Sequence, residues 1–109
     1  MKKELIERIT VGAGGASSIE FTSIPQDGVS LVLMFSGRGT IASVSRFINV
    51  LLNGDADGNY SYIRLRGDGS TVTSASSATK YRLEIGLMPG DSATANTFGS
   101  CQTHIANYT

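Results

Sequence analysis

One run limits what this chain can become. Residues 29–36 read Val-Ser-Leu-Val-Leu-Met-Phe-Ser, the longest apolar run in 109 residues. Extended, Val29, Leu31, Leu33 and Phe35 point to one side, and Val32 and Met34 to the other. Apolar groups on both sides predict a strand covered on both faces near its middle. A helix is the competitor. Asp27-Gly28 before the run, Gly37-Arg38-Gly39 after it and its β-branched content favour a central β-strand.

The rest of the chain reads as further short strands between turns. A first strand is expected over 6–11, then a flexible turn at Gly12-Ala13-Gly14-Gly15-Ala16. That turn lacks the G-x-G-x-x-G spacing of a dinucleotide loop, and no helical pattern follows it. Residues 18–24 alternate, with Ile19 and Phe21 inward, and Pro25-Gln26-Asp27-Gly28 turns the chain. A weak strand is expected at 41–44 and a firmer one at 47–52, with Asn53-Gly54 and Asp57-Gly58 marking a reversal. Residues 60–66 alternate most clearly. Ser61, Ile63 and Leu65 share one face; Tyr60, Tyr62, Arg64 and Arg66 share the other. Residues 67–80, rich in Ser, Thr, Ala and Gly, read as a surface loop. Tyr81, Leu83, Ile85 and Leu87 alternate with Arg82, Glu84 and Gly86 in another strand, closed by Pro89-Gly90-Asp91. A last strand covers 97–105, with Cys101, Thr103 and Ile105 on one face. The expected fold is one all-β domain over 1–109, an antiparallel sandwich or open barrel.

Composition excludes several classes. Nine basic and nine acidic residues cancel without blocks of either sign, so no nucleic-acid footprint is expected. The single cysteine, Cys101, permits no intrachain disulfide and argues against a cysteine metal site. Met1-Lys2-Lys3 resembles a signal-peptide start, but Glu4, Glu7 and Arg8 interrupt any apolar region after it, so no cleaved signal is expected. No stretch approaches the ~20 apolar residues of a membrane-spanning helix, so no membrane partner is expected.

Few residues suggest chemistry. Asn53-x-Asp55-x-Asp57-Gly58 has the opening of a calcium loop, three oxygen side chains two apart and a glycine at the sharp turn. Its twelfth position is Arg64 where a bidentate Glu is needed, so a polar turn is expected and no metal or other cofactor. Arg66-Gly67-Asp68 is the integrin-type tripeptide, and Asn59-Tyr60-Ser61 and Asn107-Tyr108-Thr109 are glycosylation sequons; each is expected to be incidental. His104, the only histidine, is expected to face away from Cys101 and Ile105, so no nucleophilic dyad is indicated. Nine scattered acids single out no acid/base pair. Tyr60, Tyr62, Arg64 and Arg66 form the most suggestive surface, a candidate interface or ligand face. It could pack on a neighbouring protein, stack on sugar rings, or be ordinary cross-strand packing.

Three blocks together resemble a known family. They are Ser17-Ser18-Ile19-Glu20-Phe21-Thr22-Ser23-Ile24-Pro25-Gln26 with the apolar strand and Ser36-Gly37-Arg38; Asn53-Gly54-Asp55 through Asn59-Tyr60-Ser61 to Gly67-Asp68-Gly69-Ser70; and Pro89-Gly90 with Ser92-Ala93-Thr94-Ala95-Asn96-Thr97-Phe98-Gly99-Ser100, ending at Ile105-Ala106-Asn107-Tyr108. In this order they resemble tailed-phage virion structural proteins, of the tail-fibre and head-decoration kind common in marine and cyanobacterial phages. The resemblance implies a jelly-roll-like β-sandwich, oligomeric and without catalytic residues. It also implies further strands beyond Tyr108, so this chain would be a short form or the N-terminal part of a longer jelly roll. An open edge would then be completed by a neighbouring subunit.

The resulting expectation is a non-enzymatic virion protein, a capsid decoration or cement protein or a tail or fibre subunit, assembled in the host cytoplasm. Its partners would be copies of itself, a trimer by analogy, and other virion proteins such as the major capsid protein. The rival is a carbohydrate-binding module that recognises a host surface glycan.

Overall fold

The computed structural model describes residues 3–108. Met1, Lys2 and Thr109 lie outside the described residues, and with them the start of the chain and the last residue of the second sequon. Six strands form, and among the described residues there is no helix: β1 (Ser30–Gly37), β2 (Ser45–Val50), β3 (Tyr60–Gly67), β4 (Val72–Lys80), β5 (Leu83–Pro89) and β6 (Gly99–Ala106). They pair as three two-stranded ladders, first with last, second with fifth and third with fourth. The pairing is nested, each ladder enclosing the next in sequence. The fold is all-β, antiparallel and sandwich-like.

Contacts divide the chain into two compact units. One holds the segment through Leu31 and that from Ile105 onward. Its strands expected at 6–11 and 18–24 do not form. Strand propensity describes a fit to a pleated, half-buried surface, and no ladder takes up these residues: Ile6, Ile9, Val11, Ile19 and Phe21 all stay exposed. Ser23 adopts a left-handed φ of 54°, which breaks the extended path. The turn at 12–16 is present, with the Gly15 N–H donating to the Gly12 carbonyl at 3.0 Å. The Tyr108 hydroxyl donates to the Pro25 carbonyl (2.7 Å) and accepts from the Gly28 N–H (3.2 Å). A Cβ on Gly28 would stand 2.7 Å from that hydroxyl, so any larger residue there would push the tip of the Tyr108 side chain aside.

The second unit, Val32–His104, holds β2 to β5 and most of β1 and β6. In the β2–β5 ladder the register runs from Ser45↔Pro89 to Ile48↔Gly86, then shifts to Asn49↔Glu84 and Val50↔Leu83. Ile85 is the extra residue of this bulge. Side chains of paired residues share a face, so Ile48 and Gly86 lie on one side and Phe47, Leu87 and Glu84 on the other. A Cβ on Gly86 would lie 3.2 Å from Cys101 Cβ and 3.6 Å from Ile48 Cδ1, so the missing side chain lets β6 approach closely.

Three further expectations are corrected here. Residues 67–80 are a turn and strand β4, not a loop. The Asp68 carboxylate accepts the Ser70 and Thr71 N–H groups (3.0 and 2.8 Å) and the Asp68 N–H donates to the Thr71 carbonyl. This tight cap makes the β3–β4 pairing local, so small polar residues suffice for the strand. Residues 41–44 form no strand. Their carbonyls accept from the loop after β5 instead: Gly90 N–H to Val44, Asp91 N–H to Ile41 and Ser92 N–H to Ser43. A Cβ on Gly90 would collide with the Ser43 carbonyl oxygen. Finally, β1 alternates half-buried and exposed residues, with Met34 71 % exposed, so it is covered on one face and not on both.

Among the described residues only Ile48 and Tyr60 are buried apolar side chains, each 8 % exposed, and none is fully enclosed.

Candidate functional site

The sequence singled out the Tyr60/Tyr62/Arg64/Arg66 side of β3. The structure turns most of it inward. Tyr60 is buried, Tyr62 and Arg64 are half-buried, and Arg66 is exposed near the turn. The Arg64 guanidinium donates to Glu84 Oε2 at 2.8 Å. It lies 4.8 Å from the Phe47 ring centroid and 5.4 Å from that of Tyr62. Lys80 Nζ sits 5.7 Å from the same Tyr62 ring. Arg64 therefore ties the β3–β4 ladder to the β2–β5 ladder by one ion pair to Glu84 and one contact with the Phe47 ring, while the Tyr62 ring of its own strand flanks it; both kinds of contact suit a planar, weakly hydrated cation.

Two bulges make this cluster. Straight alternation would put Glu84 opposite Leu87, but the extra Ile85 rotates it to the Phe47 side, where Arg64 waits. The register shift between Tyr60↔Lys80 and Tyr62↔Ser77 likewise brings Lys80 to the Tyr62 side. A groove of about 300 Å³ opens beside the cluster, lined among others by Phe47, Tyr62, Arg66 and Leu87. Of the two cations that line it, Arg64 is paired with Glu84, and Arg66 acts on the Asp68 carboxylate through its charge alone.

The Asn53/Asp55/Asp57 loop is closed on itself. Asn53 and Gly54 take φ values of 53° and 68°, and the Asp55 N–H donates to the Leu52 carbonyl at 3.0 Å, the signature of a type I′ turn. The Asp55 carboxylate accepts from Asn59 Nδ2 (3.1 and 3.0 Å) and from the Asp57 N–H (3.0 Å). Those bonds favour its charged form and hold its carboxyl below the usual range, Asn59 contributing most. The Tyr60 hydroxyl donates to the Asp55 carbonyl (2.8 Å) and accepts from the Leu52 N–H (3.0 Å). Among the described residues no three His, Cys, Asp or Glu side chains cluster as a metal site would require.

The Asp68 carboxylate of the Arg66-Gly67-Asp68 tripeptide is committed to its own turn. The Ser70 and Thr71 N–H groups, and then the Arg66 charge, hold its carboxyl below the ordinary value. On β6, Cys101 is half-buried against Gly86 while His104 is exposed on the opposite face.

Sequence reasoning missed Arg38. Its Nη1 donates to the Thr94 carbonyl (2.8 Å), the Thr97 carbonyl (3.3 Å) and Thr97 Oγ1 (3.1 Å), and its Nη2 to the carbonyls of Asp91 (3.2 Å) and Ala93 (2.9 Å). One guanidinium so gathers the β5–β6 loop. The only signal was an arginine between two glycines, which names no acceptor 53 to 59 residues away.

The other side of β3 is the larger surprise. Ile63 is 91 % exposed, Leu65 77 % and Val72 of β4 72 %. Compared with known proteins, the chain matches no family model, no curated protein and no solved structure.

Proposed function

We propose that this chain is a structural subunit that works by assembling with copies of itself, and that the assembly is part of a phage virion, as a decoration, cement or tail-fibre component. The observation that carries the assembly reading is surface area. A compact monomer of 11.5 kDa exposes about 5,800 Å². This chain exposes 8586 Å², an excess of roughly 2,800 Å², the scale on which obligate subunits bury surface. Much of that surface is large and apolar: Val29, Met34, Val44, Leu5 and Phe98 are exposed with Ile63, Leu65 and Val72. Two-stranded ladders are marginal in water by themselves, so folding that is completed between subunits would stabilise all three. The virion setting rests on the resemblance of the three sequence blocks. Its mechanism is burial of apolar strand faces between copies, and no catalytic role enters it.

Sedimentation equilibrium of the purified chain tests the assembly, with an oligomer and no monomer at micromolar concentration as the expected result. Antibody labelling of particles from a phage that carries the gene tests the setting. Labelling of the capsid surface or tail supports it; particles without the protein rule it out.

A further inference from the structure

The outer face of the β3–β4 ladder has a pattern that the register makes explicit. Its cross-strand pairs are Ile63↔Ser76, Leu65↔Ser74 and Gly67↔Val72. Each couples one large aliphatic residue with one small one. The large residues stand on β3 in the first two pairs and on β4 in the third. None of the six carries a charge. All six are exposed.

We propose that this face is a self-recognition surface, on which a second copy of the chain packs its own β3–β4 face about a twofold axis parallel to the strands. The inference rests on the assembly reading above and names the contact. A twofold axis midway between β3 and β4, lying between two facing sheets, exchanges the strands without changing height along them. It sets Ile63 over Ser76 of the partner copy, Leu65 over Ser74 and Val72 over Gly67. Every large residue meets a small one, in both directions, with the two-residue spacing of about 6.6–6.8 Å already matched because both copies share it. A different partner would have to be built to the same spacing; a second copy has it. Facing sheets pack in this interdigitated way about 10 Å apart, with the offset of about 30° that twist imposes. An uncharged patch is also what the centre of an interface favours. The roughly 2,800 Å² excess over a compact monomer exceeds the ~800 Å² per partner of a stable interface, so this contact accounts for part of it. The contact is isologous and makes pairs; the trimer implied by analogy would need another surface.

Two experiments on the full chain test it. In the first, I63D/L65D is compared by sedimentation with the parent and with Ile41→Asp, an exposed apolar residue in the loop before β2. The double variant is expected to raise the dimer dissociation constant at least tenfold while Ile41→Asp leaves it within threefold. A double variant that pairs as tightly as the parent overturns the proposal while leaving assembly itself standing. A parent that is monomeric at all concentrations overturns the assembly reading and this inference with it. The second does not burden the fold with buried charge. In a Cys101→Ser background, the Leu65→Cys protein is mixed with either Ser74→Cys or Thr73→Cys and treated with a short bis-maleimide. Ser74 shares the proposed face; Thr73, paired with Arg66, points to the other. Mixed dimers with Ser74→Cys alone support the arrangement. Equal yields with Thr73→Cys overturn it.

Discussion

The two sides of β3 differ in an instructive way. One side carries Tyr60, Tyr62 and Arg64, residues with polar ends, and turns toward the protein. The other carries Ile63 and Leu65 and turns to water. Ordinary partition would reverse this, since apolar side chains gain by leaving water and guanidinium groups lose. The inversion holds because the polar ends are satisfied: Arg64 by Glu84 and two rings, Tyr60 by the backbone of Leu52 and Asp55. A single chain therefore spends its polar anchors inside and keeps an apolar face outside. The proposed pairing with a second copy would account for this inversion.

The sharpest way to break this contrast is to truncate one residue from each side. Tyr60→Ala removes a buried ring and the hydroxyl that pins the 52–55 turn, and should cost about 3–5 kcal/mol of folding stability. Leu65→Ala, measured under conditions that keep the chain dissociated, should cost no more than about 0.5 kcal/mol, as exposed positions do. Comparable losses at both would show that the outer face is covered within the chain.

The next effect isolates the ion pair. Arg64 and Glu84 are 33 % and 18 % exposed as side chains, between the surface and buried limits. Arg64→Met, which keeps the aliphatic stem, should cost about 1–3 kcal/mol because Glu84 is left half-buried without its partner. Adding Glu84→Gln should recover part of that loss, and a double-mutant cycle from urea melts would report the coupling. Additive losses would mean the pair carries no energy of its own.

What the sequence disclosed follows from what alternation can carry. The faces of β3 were legible residue by residue, because period two is a local property. Which face turns inward was not, since that depends on Glu84, and Glu84 reaches Arg64 only through the bulge at Ile85. Alternation assigned Glu84 to the wrong side for the same reason. Strand β4 was hidden because a local hairpin capped by Asp68 tolerates small polar residues that elsewhere mark loops. Residues 6–11 and 18–24 erred in the other direction: they have strand chemistry and no ladder. The type I′ turn at Asn53-Gly54 was legible, being a matter of dipeptide chemistry; the role of Arg38 was not, since its acceptors are backbone carbonyls.

A smaller effect concerns that loop anchor. Arg38→Lys keeps the charge but loses the planar fork, and should cost about 1 kcal/mol while raising hydrogen exchange of the loop after β5. Unchanged exchange there would assign the loop's order to the 41–44 contacts.

The smallest is a pH effect at the two capped turns. Folding lowers the Asp55 and Asp68 carboxyls, so each contributes stability above its unfolded value, near 3.8, that is lost as pH falls through the lower folded one. Both are solvent-exposed and the contribution is modest. Thermal melts should therefore show a slight decline below roughly pH 4 that Asp55→Asn and Asp68→Asn each reduce. A decline unaltered by either variant would place the acid sensitivity elsewhere.

The central claim is that self-association stabilises the fold, and the melting temperature as a function of protein concentration tests it most directly. Anything that binds only the native state, including a second copy, raises the apparent stability by mass action. The account predicts a melting temperature that climbs steadily as concentration increases from nanomolar to tens of micromolar, and a flatter response in I63D/L65D. A melting temperature independent of concentration over that range, with a cooperative transition, would contradict it.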